Sequence, residues 1–231
     1  MTLIALDLDG TLEDSRADMV AAIHRVRAAL GLPERPDADL EPFVSKGMDT
    51  LYLRCFDDFG VADDPGRYAR VEAAYENDYL ANVAITTRLY PGIRAALRDL
   101  SELGTLAVVT NKPERISRAL LQALDIAPFF ATVIGGDTCA ESKPSPLMLA
   151  TAAAKVGLTH DRAVMIGDSG GDVVMGRAYG AITIWCAWGY ARAITEHPDH
   201  VARTPDELAG IVQDAISSVS TLSGLQARQA R

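Results

Sequence analysis

Cysteine is scarce in this sequence: three residues in 231, at Cys55, Cys139 and Cys186, an odd number without close spacing. That excludes a disulfide framework and gives no zinc-type pattern, so reduced thiols in or near the core are expected. Positive charge is also short, with 22 Lys and Arg against 31 Asp and Glu and a formal net charge of −9. A surface for nucleic acid needs a basic excess, so no nucleic-acid partner is expected. A small phosphorylated ligand needs only a few local cations and stays open. No apolar run approaches the roughly 20 residues of a membrane helix. The start of the chain lacks the basic-then-apolar layout of a signal peptide, because Asp7 and Asp9 interrupt it. No membrane and a cytoplasmic location are the expectations. The four histidines, His24, His160, His197 and His200, are scattered. "HPDH" sets two of them three apart, but the intervening Pro198 and its distance from every other motif argue against a metal site.

What is present is a soluble composition, 48% hydrophobic and 23% charged, with enough chain for one ordinary core and a smaller appendage. Short apolar runs at Leu3–Leu8, Leu106–Thr110, Thr132–Gly135, Val164–Gly167 and Ile182–Cys186 read as strands. From Leu106 onward they alternate with helical patterns. Ile93, Leu97, Leu100 and Leu103 mark one helix, and Ile116, Leu120, Leu121 and Leu124 the next. Such alternation predicts an α/β fold, a doubly wound, Rossmann-like parallel sheet with helices on both faces. Ligands of these sheets bind beyond the carboxyl ends of the strands. Asp7, Asp9, Thr110 and Asp168 all fall there.

The first strand breaks this rhythm. After Thr11 come about 75 residues with helical patterns and no convincing strand, including Met19, Val20, Ile23, Val26 and Leu30 at helical spacing. "GLPERPDADLEP" reads as a Pro-rich connection between helices. The expected organisation is a core of residues 1–13 and 89–231 with a small α-helical insert over 14–88, placed on the mouth of the sheet. "TRLYPG" marks the return to the core, and the tail is expected to fray after Leu222.

Four separated stretches carry the chemistry: "DLDGT" (7–11), "VVTNK" (108–112), "ESKPSP" (141–146) and "IGDSGGD" (166–172). Asp7, Asp9, Asp168 and Asp172 meeting at one sheet edge would repel each other by several kcal/mol unless a cation intervened. Their donors are oxygens, with no His or Cys beside them, which points to a hard ion and to Mg²⁺ first. Asp168, Ser169 and Asp172 also sit where a helix begins, so an N-cap role is the competing reading of that segment. Thr110 and Lys143 offer a hydroxyl and a compact positive charge, the groups a phosphoryl ligand needs. Gly10 supplies the turn required if Asp7 and Asp9 are to serve one substrate.

In order and spacing these four stretches resemble the haloacid dehalogenase-like superfamily across essentially the whole chain. The resemblance implies a nucleophilic Asp7 that forms an aspartyl-phosphate and an Asp9 that acts as general acid and base. It implies Mg²⁺ held by Asp7, the Asp9 backbone carbonyl and Asp168, with Asp172 holding the ion through water or orienting Lys143. Thr110 and the Asn111 backbone amide match a phosphate clamp, and Lys143 the residue that offsets the charge of nucleophile and phosphate. An Asp at position 9 resembles phosphatases and phosphomutases rather than the hydrolytic dehalogenases or the ATPases of the superfamily. "LYPG", "TNKP", "GY" and the Pro198-Asp199 segment resemble its phosphoglycolate phosphatase-like branch. The implied function is hydrolysis of a small phosphorylated metabolite, with a phosphosugar mutase or a non-catalytic binding protein as alternatives.

In the same resemblance the helical insert looks like a small cap that closes over the site. Within "VSKGMDTL", Lys46 reads either as a solvated lysine before a helix or as a contact to an anionic or hydroxyl group of the substrate. Arg54 has the same two readings. Glu13 departs from the family pattern, which has an apolar residue there, and adds charge at the hinge into the cap. Trp185 and Trp188 read as packing residues. Nothing in the sequence fixes an oligomeric state.

Overall fold

In a computed structural model, residues 1–158 and 163–229 are described, with side chains to residue 218. Among these residues one six-stranded sheet forms the core, in the order β5-β4-β1-β6-β7-β8 with every neighbouring pair parallel. Its strands are β1 (Leu3–Leu6), β4 (Thr105–Val109), β5 (Phe130–Ile134), β6 (Ala163–Gly167), β7 (Ile182–Cys186) and β8 (His200–Ala202). A separate two-residue ribbon pairs β2 (Glu13–Asp14) with β3 (Arg88–Leu89) antiparallel. The α/β class and the five expected strands are present; β8 and the ribbon are additional. Both are too short to leave a periodic signal.

β1 lies at the centre between β4 and β6, and its four residues are all buried. This is why it reads as a continuous apolar run rather than an alternating one: helices cover both faces of a parallel sheet. Ile4 and Leu6 join a cluster with Leu97 and Leu100 of α5 (Ile93–Leu103), Leu120 of α6 (Glu114–Ala123) and Leu208 of α9 (Leu208–Gln229). Leu3 and Ala5 point to the opposite face, where Leu149 of α7 (Leu147–Lys155) and Met175 of α8 (Gly170–Tyr179) pack. The strand ends at Leu6, two residues short of the apolar run, because Leu8 turns its carbonyl to Leu12 N–H instead of to a neighbouring strand.

Between the two halves of the ribbon the chain is helical: α1 (Arg16–Ala29), α2 (Asp37–Val44), α3 (Met48–Cys55) and α4 (Pro65–Ala81). These helices bury a cluster of their own, built on Met19, Ile23, Leu40, Leu51, Tyr52, Val71, Tyr75 and Tyr79, to which the core helix α6 contributes Ile116. The stretch expected as a connection is half helix, since α2 begins at Asp37 and carries Pro42 inside it. Burial of Leu40 and Val44, one turn apart on α2, outweighs the hydrogen bond the proline forfeits. The backbone of α9 continues to Gln229, past the expected fraying point at Leu222. No described helix is long and apolar enough to cross a membrane. Cys55, Cys139 and Cys186 are free thiols, and His160 lies outside the described residues.

Candidate active site

The carboxyl ends of β1, β4 and β6 open into a cleft of about 530 Å³. Asp7 follows β1 directly and keeps one sheet bond, its N–H donating to Ile166 O at 2.9 Å. Asp168 follows β6, and Asp172 lies in the first turn of α8, where it forms a capping box with Ser169. The N-cap reading of this segment is therefore real, but it coexists with a second role for the same side chains. Asp7, Asp168 and Asp172 are buried, and each presents an oxygen within 4.8 Å of the others. Lys143 reaches into this group, its Nζ 2.7 Å from Asp7 Oδ1 and 2.7 Å from Asp172 Oδ1.

One lysine does not balance three buried carboxylates. Burial pushes the Asp7 carboxyl up to about 7; Lys143 pulls against it, and Asp172 and Asp168 add to the rise. Burial, then Asp172, likewise lifts Asp168 to about 6. Both shifts reflect the cost of crowding carboxylates out of water, a cost that a bound cation would offset. The all-oxygen donor set fits a hard divalent ion, so the group could hold a metal. Asp7 and Asp168 are the members best placed to bind it directly. Asp172 already spends Oδ1 on Lys143 and Oδ2 on Ser169 N–H (3.0 Å) and hydroxyl (2.6 Å).

The supports of this pole come from far along the chain. Tyr190 N–H donates to Asp168 Oδ2 at 2.6 Å, and the Trp185 indole N–H to the Asp168 carbonyl at 2.8 Å. Trp188 donates to Thr11 O at 3.1 Å. Both tryptophans thus pin the loops after β6 and β1, and Trp188 also packs against the core. Gly10 has φ 82°, and a Cβ there would lie 2.5 Å from Asp168 Oδ2. The turn at Gly10 is therefore also the place where the two loops touch.

Thr110 and Asn111 follow β4 and line the cleft beside Lys143. The Asn111 side chain accepts from Lys143 N–H at 2.9 Å, tying the loop after β4 to the lysine it serves. Asp9 also lines the cleft, but its carboxylate turns away from the acidic group: Oδ1 accepts from Ser15 Oγ at 2.5 Å and from Lys112 Nζ at 2.7 Å. Burial opposes its charge, yet Lys112 and the surrounding hydrogen bonds hold Asp9 below the usual carboxylate range. Glu13 is not a solvated hinge charge. It is wholly buried, and burial followed by Asp9 pushes its pKa well above the ordinary value. Lys46, exposed in the loop between α2 and α3, also lines the cleft, with Met48. Arg54 does not line it; its guanidinium stacks over Phe43 at 5.9 Å. Lys112, Trp185 and Tyr190 are members spacing did not single out, because each acts across a long stretch of intervening chain; Ser15, six residues from Asp9, carries no signal beyond that of an ordinary helix-start serine.

The family model for haloacid dehalogenase-like hydrolase matches residues 1–180. A phosphoglycolate phosphatase of Aquifex aeolicus is 32% identical, over 94% of this chain and 99% of its own. One from Caulobacter vibrioides is 38% identical over 84% of this chain and 81% of its own. Among solved structures, a predicted phosphoglycolate phosphatase from Haemophilus somnus superposes with a TM-score of 0.78 at 26% identity, covering 91% of this chain and 97% of that one. With its acidic motifs gathered at one sheet edge and residues 1–180 matched by the family model, this chain belongs to the haloacid dehalogenase-like hydrolases.

Proposed function

We propose that the protein is a Mg²⁺-dependent phosphatase that releases phosphate from a small phosphorylated metabolite of the phosphoglycolate type, through an aspartyl-phosphate on Asp7. The observation that carries this reading is the buried group Asp7, Asp168 and Asp172 around Lys143 at the closed end of a cleft of about 530 Å³, a volume suited to a small metabolite. The names of the relatives supply the substrate class.

In this reading Asp7 attacks phosphorus, the P–O bond to the alcohol breaks, and the alcohol oxygen takes the proton that Asp9 carries at that step, which leaves Asp9 a carboxylate. Asp9, as carboxylate, then takes a proton from the water that attacks the aspartyl-phosphate and frees Asp7. Thr110, the Asn111 backbone amide and Lys143 hold the phosphoryl oxygens. Asp7, the Asp9 carbonyl and Asp168 would bind Mg²⁺, with Asp172 behind them orienting Lys143. The ion supplies charge neutralisation of the phosphoryl group when bound.

Residues 1–13 and 89–231 form the proposed catalytic core and residues 14–88 the cap, which brings Lys46 to the substrate's non-phosphate end. The free thiols suit a reducing compartment, and the cytoplasm is the proposed location. Asp7→Asn should abolish phosphate release from para-nitrophenyl phosphate in Mg²⁺ while thermal unfolding stays cooperative; wild-type turnover by this variant would overturn the mechanism. A panel of phosphate esters assayed with and without Mg²⁺ identifies the substrate. Release from phosphoglycolate without a bisphosphate primer would exclude a mutase.

A further inference from the structure

Lys112 is the third residue of "TNK" and lies between the core and the cap. Its backbone is fixed in the loop after β4: its N–H donates to Thr110 Oγ1 at 3.3 Å, and its carbonyl accepts from Gly136 N–H at 3.0 Å. Its side chain is 3% exposed. A buried ammonium without partners is prohibitively unfavourable, and this one has three different neighbours. Asp9 Oδ1, from the core, lies 2.7 Å away. Met19 Sδ, from α1, lies 3.7 Å away. The Tyr79 ring of α4 stands over it, with its centroid at 4.9 Å. One side of the ammonium is thus made by the proposed acid/base residue and the other two by helices of the cap.

We infer that Lys112 is a positioning residue for Asp9, and that docking of the cap tightens its hold. The inference rests on the acid/base role proposed for Asp9. The geometry supplies the link. With Met19 and Tyr79 in place, water is kept from the ammonium and the Lys112–Asp9 bond acts in a low-dielectric surround. When the cap lifts, its sulfur and ring are replaced by water, and the bond weakens. Ile116, one turn into α6 from the same loop, is the core residue that enters the cap's apolar cluster. The surface on which the cap rests is therefore continuous with the residue that holds Asp9.

The test is rapid-quench kinetics with para-nitrophenyl phosphate in saturating Mg²⁺, on the full chain. Its leaving group departs without help, so misplacing Asp9 slows mainly the hydrolysis of the phosphoenzyme. Lys112→Met, which keeps the stem and its packing, should give a burst of para-nitrophenol near one equivalent per site. The steady rate after it should be on the order of 100-fold below wild type. Lys112→Arg, which keeps the charge, should recover part of that rate. Tyr79→Leu should slow phosphoenzyme decay by about 3- to 10-fold, as loss of a desolvated cation–π contact implies. This second variant decides the matter if Lys112→Met does not fold. A merely structural role would lower burst and steady rate together. Wild-type decay in Lys112→Met, or in Tyr79→Leu where that variant decides, overturns the inference. Asp9→Asn separates the two levels: wild-type turnover there would overturn the acid/base reading itself. A burst there beside normal decay in Lys112→Met would overturn only the role of Lys112.

Discussion

The carboxylate of Asp18, near the start of α1, receives both the N–H and the hydroxyl of Thr87, at 2.9 and 2.7 Å. Thr86 adds its own N–H and hydroxyl to the same carboxylate. The chain thereby ties the point where it leaves for the cap to the point where it returns, beside a ribbon only two residues long on each side. Thr87 is wholly buried, so loss of the acceptor leaves its donors unpaired. Asp18→Ala should cost about 3 kcal/mol by denaturant unfolding.

The same carboxylate gives a pH signature. Burial opposes its charge, but the bonds from Thr86 and Thr87 outweigh burial and hold its pKa below the ordinary value of 3.8. A depressed carboxyl stabilises the fold fully above its unfolded-chain pKa, and that contribution is lost as pH falls through the folded value. The stability gap between wild type and Asp18→Asn should therefore be full at neutral pH and narrow below about pH 4. Thermal melts across that range check it; a gap that held constant into acid would show that the carboxylate charge is not what matters.

Gly10 and Gly180 separate two reasons for a glycine. Both have positive φ, at 82° and 88°. Nothing lies within 4 Å of a Cβ built at Gly180, whereas at Gly10 it would meet Asp168 Oδ2 at 2.5 Å and Tyr190 Cγ at 3.0 Å. Gly180→Ala should thus cost only the backbone term, about 1 kcal/mol, and keep wild-type turnover. Gly10→Ala should lose more than that, because the clash adds to the backbone term, and should also displace Asp168, so the Mg²⁺ concentration for half-maximal activity should rise at least about tenfold. A Gly10→Ala enzyme with normal Mg²⁺ dependence would mean that the loop after β6 yields without consequence.

Strand-end residues were legible in the sequence for a physical reason. A parallel sheet exposes its carboxyl ends to ligand, so a buried run that stops at an Asp, a Thr or a Gly-Asp announces where chemistry sits. Asp7, Thr110 and Asp168 follow this rule. Partner choice was not legible. Lys112 meets Asp9 across 103 positions and Tyr190 meets Ser15 across 175, and no periodicity encodes such pairs. Glu13 had no assignable role in the sequence beyond adding a charge at the hinge, and only the folded packing shows it buried. α2 was hidden by its prolines, because local propensity gave no sign that Leu40 and Val44 would find an apolar partner surface.

Lys46 carries the last prediction, and its exposure sets the size. It lines the same cleft as Lys143, on a loop ended by Gly47, the residue before α3. An ammonium open to water attracts a substrate carboxylate weakly, because solvent and salt screen the pair. Lys46→Met should therefore lower kcat/KM for phosphoglycolate by about 3- to 5-fold, mainly through KM, and leave para-nitrophenyl phosphate, which has no carboxylate, essentially unchanged. Raising the ionic strength should shrink the difference between wild type and variant on phosphoglycolate alone. Equal losses on both esters would place Lys46 in cap structure rather than in recognition. No loss on either would leave it a solvated lysine, and the substrate's acid group would have to be read by another residue of the cleft.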